Sequence, residues 1–179
     1  QTRPSERRTS PFFQFNAAHI GPVTLSVARQ TEHMKAFDIN PRIGVGPIRI
    51  GMTRDEVRQH LGQPDGDDDE SEWNLDDMAV DFDSSGKVKF IELAESENYK
   101  ATLNGKCLHD LPASDAVAHV TAIAPYNEND PELGYTHVFP DLQLSLWRPV
   151  IPDDEQDADD PTGHRFESVG VGGDGYFAA

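Results

Sequence analysis

Cys107 and His109 stand two residues apart in Gly105-Lys106-Cys107-Leu108-His109-Asp110. That spacing puts both side chains on one face of an extended segment. A thiol beside an imidazole is the beginning of a cysteine nucleophile, with the ring as its base. No oxyanion donor and no third group to orient the ring can be identified, so a partly buried structural thiol is expected instead.

The run Asp65-Gly66-Asp67-Asp68-Asp69-Glu70 suggests calcium chemistry. Asp65, Asp67, Asp69 and Asp76 fall at positions 1, 3, 5 and 12 of an EF-hand frame. Position 6 of that frame needs glycine for its sharp turn, and position 12 needs a bidentate glutamate. Glu70 and Asp76 stand there, so a solvated loop is expected. The histidines at 19, 33, 60, 109, 119, 137 and 164 form no His-x-x-x-His pair, which leaves a zinc hydrolase unsupported. Gly170-Val171-Gly172-Gly173-Asp174-Gly175 is followed by no Lys-Ser or Lys-Thr and reads as a strand end and turn rather than a phosphate loop. No metal or cofactor is expected.

Trp73, Trp147 and Arg148 carry more information, because tryptophan and arginine concentrate at the energetic centres of interfaces. On a strand over 142–147 the leucines face one way, and Gln143, Ser145 and Trp147 the other. A patch of Trp73, Asp76, Asp77, Asp81 and Trp147, with Arg148 beside it, is the expected partner-binding face.

These residues need elements to hold them. Thr53 and Glu56 have capping-box spacing, Met52 and Val57 that of a hydrophobic staple, and Gly62 with Pro64 supplies a stop. A helix over 54–61 follows. Met78, Val80 and Phe82 alternate with Ala79 and Asp81, and Asp83-Ser84-Ser85-Gly86 has turn chemistry. Val88, Phe90, Ile91 and Leu93 then complete a hairpin, with a bulge expected near Ile91. The second half repeats the order. Residues 113–117 overlie 53–57, Val117, Val120 and Ala124 form a helical stripe, 141–146 match 77–82, and the strand from Phe166 to Val171 answers 88–93. The fold expected is α+β: two similar helix-plus-antiparallel-sheet units over 34–100 and 101–179, forming one continuous or paired sheet with helices on one face. The run 153–160 is an expected acidic loop between strands.

Charge divides the chain differently. Residues 1–33 carry a net +2, whereas the whole chain carries −17, so the remaining 146 residues carry −19. Such a break marks a boundary. A native start at Met34 is expected, with 1–33 as a disordered leader, tag or mis-called start. The alternative is an export signal built on Arg7-Arg8 and the stretch from Phe12 to Ala28. With 32 acidic residues against 15 basic ones, the field repels phosphate backbones and attracts basic protein surfaces. Cys107 is the only cysteine, which is compatible with a reducing cytoplasm. No stretch approaches the roughly 20 apolar residues of a membrane span.

The phrase Ile50-Gly51-Met52-Thr53-Arg54-Asp55-Glu56-Val57, with Leu61-Gly62-Gln63-Pro64-Asp65 and then Gly86-Lys87-Val88, resembles the unit of beta-lactamase inhibitory protein and of small outer-membrane assembly lipoproteins. Phe139-Pro140-Asp141-Leu142-Gln143-Leu144-Ser145-Leu146-Trp147-Arg148 resembles uncharacterised bacterial toxin-immunity proteins. The resemblance implies a concave antiparallel sheet flanked by helices, with binding on the sheet or its loops. The chain departs from the inhibitory protein in lacking paired cysteines, and from the lipoproteins in lacking a lipidated cysteine near its N-terminus. The function expected is binding rather than catalysis: an immunity-type inhibitor, cytoplasmic, that occludes a basic toxin. The alternatives are an exported envelope assembly or scaffold protein and, more remotely, a Cys107-dependent enzyme.

Overall fold

A computed structural model describes residues 35–64, 72–75, 77–153, 156 and 160–177. They belong to one compact unit, His33–Ala179. The expectations placed on 1–33, on the run from Asp65 to Glu70 and on Asp76 lie outside the described residues.

The first helix forms where local chemistry demands it. In α1 (Arg54–Leu61) the Thr53 hydroxyl accepts from the Glu56 N–H, and the Glu56 carboxylate accepts from the Thr53 N–H at 2.7 Å. The Thr53 N–H and hydroxyl, both donating to the Glu56 carboxylate, hold its pKa below the ordinary value. Gly62 ends the helix at φ 96°. Backbone bonds from Gly51 to Val88 and from Val88 to Met52, each 2.8 Å, tie the helix entry to the following hairpin. Replacing Thr53 with Ala removes the cap, and a loss of about 1 kcal/mol is expected in chemical denaturation.

Strands β1 (Lys35–Asn40), β2 (Gly44–Val45) and β3 (Ile48–Arg49) precede α1; β4 (Glu72–Leu75), β5 (Met78–Phe82) and β6 (Val88–Ala94) follow it. The second half runs β7 (Tyr99–Leu103), β8 (Lys106–Cys107), α2 (Ala113–Thr121), β9 (Thr136–Phe139), a 3-10 turn (Pro140–Leu142), β10 (Leu144–Trp147) and β11 (Ser168–Gly172). They build two sheets, β3-β2-β1-β7-β8 and β4-β5-β6-β11-β10-β9. The protein is therefore α+β with paired sheets. The central pair of the larger sheet, β6 with β11, joins the two halves antiparallel, and β1 joins β7 in parallel in the smaller. The expected boundary at 100/101 falls inside β7, and both halves fill one core.

That core contains Val57 from α1, Ala116 and Val120 from α2, and Ile91, Leu93, Leu144, Leu146, Val169 and Val171 from the larger sheet. Alternation along the strands explains why: each of these sheet residues lies on one face, and the intervening residues lie on the other.

Three local expectations need correction. The bulge lies opposite the step from Asp81 to Phe82, where Asp81 pairs with Phe90 but Phe82 with Val88. It therefore falls at Lys89, not near Ile91. The strand expected over 142–147 begins at Leu144, because Pro140–Leu142 is a 3-10 turn and Gln143 is left-handed at φ 49°. The second helix has Pro112 at its N-cap, without a side-chain cap, where Ala113 had been aligned with Thr53.

Gln143 has a physical reason for its conformation. Its buried side-chain amide donates to the Phe177 carbonyl at 2.9 Å and accepts from the Phe177 N–H at 2.8 Å. This clamp lays the C-terminal segment on the sheet face away from the helices. There Tyr176 stacks on Phe90 at 4.5 Å and Phe177 meets it edge-on. On the same face, the Ser168 hydroxyl donates to the Glu92 carboxylate at 2.7 Å, with both residues buried.

Candidate functional site

Residues opposite Leu146 in the sheet point toward α2, and His137 is its register partner on β9. Arg148, two residues beyond Leu146, continues that face. Between these side chains and the start of α2 lies a cleft of about 570 Å³. Its polar lining is Ser114, His137, Arg148 and His164, and its apolar wall includes Val117, Ile151, Pro152 and Phe166. Among the described residues no aspartate or glutamate lines it, although the chain has 32 of them.

Arg148 organises the surrounding loops. Its Nε–H donates to the Gly134 carbonyl and an NH1 hydrogen to the Gly163 carbonyl, both at 2.7 Å. Its guanidinium stands 5.6 Å from the Phe166 ring centre, a cation–π contact. Burial lowers its pKa, but not enough to discharge it. The guanidinium has five N–H donors, so three remain uncommitted among the described residues.

Two glycines allow this arrangement. Gly163 has φ 77°, and a Cβ there would come within 2.2 Å of the Val150 carbonyl oxygen. Gly134 has φ 102°, and its absent Cβ makes room for the Ile151 side chain. L side chains rarely adopt such φ values. Both carbonyls can therefore reach Arg148 only through glycine.

His137 is packed edge-to-face between Tyr126 at 5.2 Å and Phe166 at 5.5 Å. Burial and then the charge of Arg148 lower its pKa, against a smaller pull from Asp130. Its Nδ1 is buried without a hydrogen-bond partner. His164 is exposed at the rim, and its carbonyl accepts from the Ala113 N–H at 2.8 Å, which fixes the start of α2.

Beside the cleft, Leu133, Tyr135, Val150 and Ile151 are exposed by 38%, 46%, 38% and 39%. They are neighbours because the Arg148 N–H bonds the Tyr135 carbonyl at 2.9 Å and Ile151 covers Gly134. The exposed carboxylates Glu128, Glu132 and Asp153 lie on the same two segments.

The structure separates the described residues of the face expected to bind a partner; Asp76 lies outside them. Trp147 and Arg148 are consecutive on an extended chain and point to opposite sides of the sheet. Trp73 lies on edge strand β4, in register with Val80. Four strand spacings, about 19 Å, separate β4 from the strand of Trp147. Asp81 sits at the bulge, in register with Phe90. Asp77 lines a second cleft with Glu95, Glu97 and Lys100. Arg148 alone among the named residues lines the large cleft. Its companions His137, His164 and Ser114 were not singled out, since they come from three separate segments.

At Cys107 and His109 burial works against both the thiolate and the protonated ring. Cys107 is half-buried, and burial raises its thiol pKa, whereas a reactive thiol needs it lowered. Asp110 beside it is paired with Lys100 at 2.7 Å. His109 is 1% exposed, and burial pushes its pKa down to about 4. Among the described residues no three His, Cys, Asp or Glu side chains gather as a metal site, and no helix is long and apolar enough to cross a membrane.

Comparison with family models, with curated proteins and with solved structures gives no match.

Proposed function

We propose that the protein is a non-enzymatic binding module, an immunity-type inhibitor that occludes a basic protein partner. The observation that carries this reading is the exposed surface of Leu133, Tyr135, Val150 and Ile151 flanked by Glu128, Glu132 and Asp153. Adjoining exposed apolar side chains rimmed by charge are a usual form of protein interface. The sign of the rim and the net charge of −17 select a basic partner and speed the encounter with it. Tyr135 and Ile151 act as anchors that lose water on contact and slow dissociation. The immunity-type assignment adds the local resemblance of 139–148. The equivalent places of β5 and β10, and of β6 and β11, in the sheet order support reading the chain as a doubled unit.

The test uses the full chain as bait in lysate of the cell that makes it. One stoichiometric basic partner is expected, released as salt rises. Its Kd is expected to weaken by about 30-fold or more with Tyr135→Ala, the effect of losing an interface hot spot. Ile151→Asp is expected to abolish capture. A partner whose retention ignores both salt and these substitutions would overturn the reading, as would capture of nothing at low salt.

A further inference from the structure

We infer that the cleft between the start of α2 and Arg148 is a binding site for a small organic carboxylate with an apolar body. The inference shares Ile151 with the partner surface above but does not rest on that reading. It rests on the polar lining being, among the described residues, wholly cationic or neutral in a chain of net charge −17. Arg148 lines the cleft, and among the described residues it has no carboxylate partner and three uncommitted N–H groups. A guanidinium matches a planar carboxylate with two parallel hydrogen bonds. Among the described residues no group at the cleft meets that electrostatic demand.

The other lining groups narrow the ligand class. His137 and His164 come from two further segments, and Ser114 adds a hydroxyl that can donate to the same anion. Phe166, Val117, Ile151 and Pro152 line the remaining wall. These side chains offer nothing to the outer oxygens of a phosphate, which would have to lose their water against carbon. They do favour a hydrocarbon or aromatic body attached to the carboxylate. The volume of about 570 Å³ is within the range of small-molecule pockets.

Benzoate, acetate and inorganic phosphate are suitable probes, with binding to the full chain followed through the ring resonances of His137 and His164. Benzoate is expected to shift both rings saturably, with a Kd on the order of 1 mM for so small a ligand. Acetate is expected to bind at least about tenfold more weakly, since it lacks the apolar body. Phosphate is expected to bind no better than acetate. Ser114→Asp supplies an internal carboxylate at the mouth. It is expected to leave the unfolding temperature unchanged or higher, because an acidic residue suits a helix start. The same substitution is expected to weaken benzoate at least about tenfold by repulsion and competition for Arg148. Absence of benzoate shifts would overturn the inference. So would phosphate binding as tightly as benzoate, or full benzoate affinity in folded Ser114→Asp.

Discussion

Phe166→Ala is expected to lower the free energy of unfolding by about 3–5 kcal/mol, the range for deleting a buried aromatic side chain. Phe166 is 0% exposed and stands two residues before β11. Its ring supports His137 edge-on and faces the Arg148 guanidinium. The substitution therefore opens a cavity in the core and removes the floor on which the cleft is arranged. A domain of this size has about 5–15 kcal/mol in total, so the variant will unfold at much lower urea. Phe166→Leu keeps most of the volume and should lose less than about 1.5 kcal/mol. The urea midpoints of the two variants check this. A loss below about 1 kcal/mol for Phe166→Ala would show that the site's walls are held elsewhere.

Acid should destabilise the protein well before its carboxylates titrate, and His109 is the reason. The ring is buried and its pKa falls from 6.5 to about 4. The unfolded chain therefore binds a proton between about pH 6.5 and pH 4 that the folded chain refuses. Stability rises with pH wherever the unfolded state holds more protons, so it is lost as pH falls through this window. The shift of roughly 2.5 units corresponds to about 3 kcal/mol. His109→Leu should reduce stability at neutral pH, because the ring's bond to the Leu93 backbone is lost. It should also remove about one proton of pH dependence between pH 6.5 and 4. Urea denaturation at a series of pH values gives both numbers. An unchanged slope in the variant would assign the acid sensitivity to another group.

The contrast between α1 and Gln143 shows what could be read from the chain. The bounds of α1 were legible because Thr53 and Glu56 cap it within three residues, and Gly62 releases it. The hairpin of β5 and β6 was legible for a similar reason. Its alternation and the Asp83 turn, where the carboxylate accepts from the N–H groups of Ser85 and Lys87, are local. Gln143 was misread as strand because its left-handed conformation is held by Phe177, 34 residues away. No pattern near Gln143 reports such a partner. The individual strands of the smaller sheet were not legible: β2, β3 and β8 are two residues each. Its longer strand β1 pairs with β7 across about sixty residues, too far for alternation to announce.

The site divides along the same line. Arg148 was recognisable as an interface residue by type, and strand parity separates it from Trp147 to the opposite face. Its ring neighbours were not recognisable, because His137, His164 and Ser114 belong to a strand, a loop and a helix start with no fixed spacing among them. The sequence by itself determined the α+β class, the first helix, the hairpin and the acidic field, since each depends on hydrogen bonds, periodicity or charge summed over near neighbours. Only the tertiary structure decided that Arg148 lines a cleft with His137, His164 and Ser114. That outcome depends on how β9, β10 and α2 pack, and packing brings together side chains whose separation along the chain carries no signal.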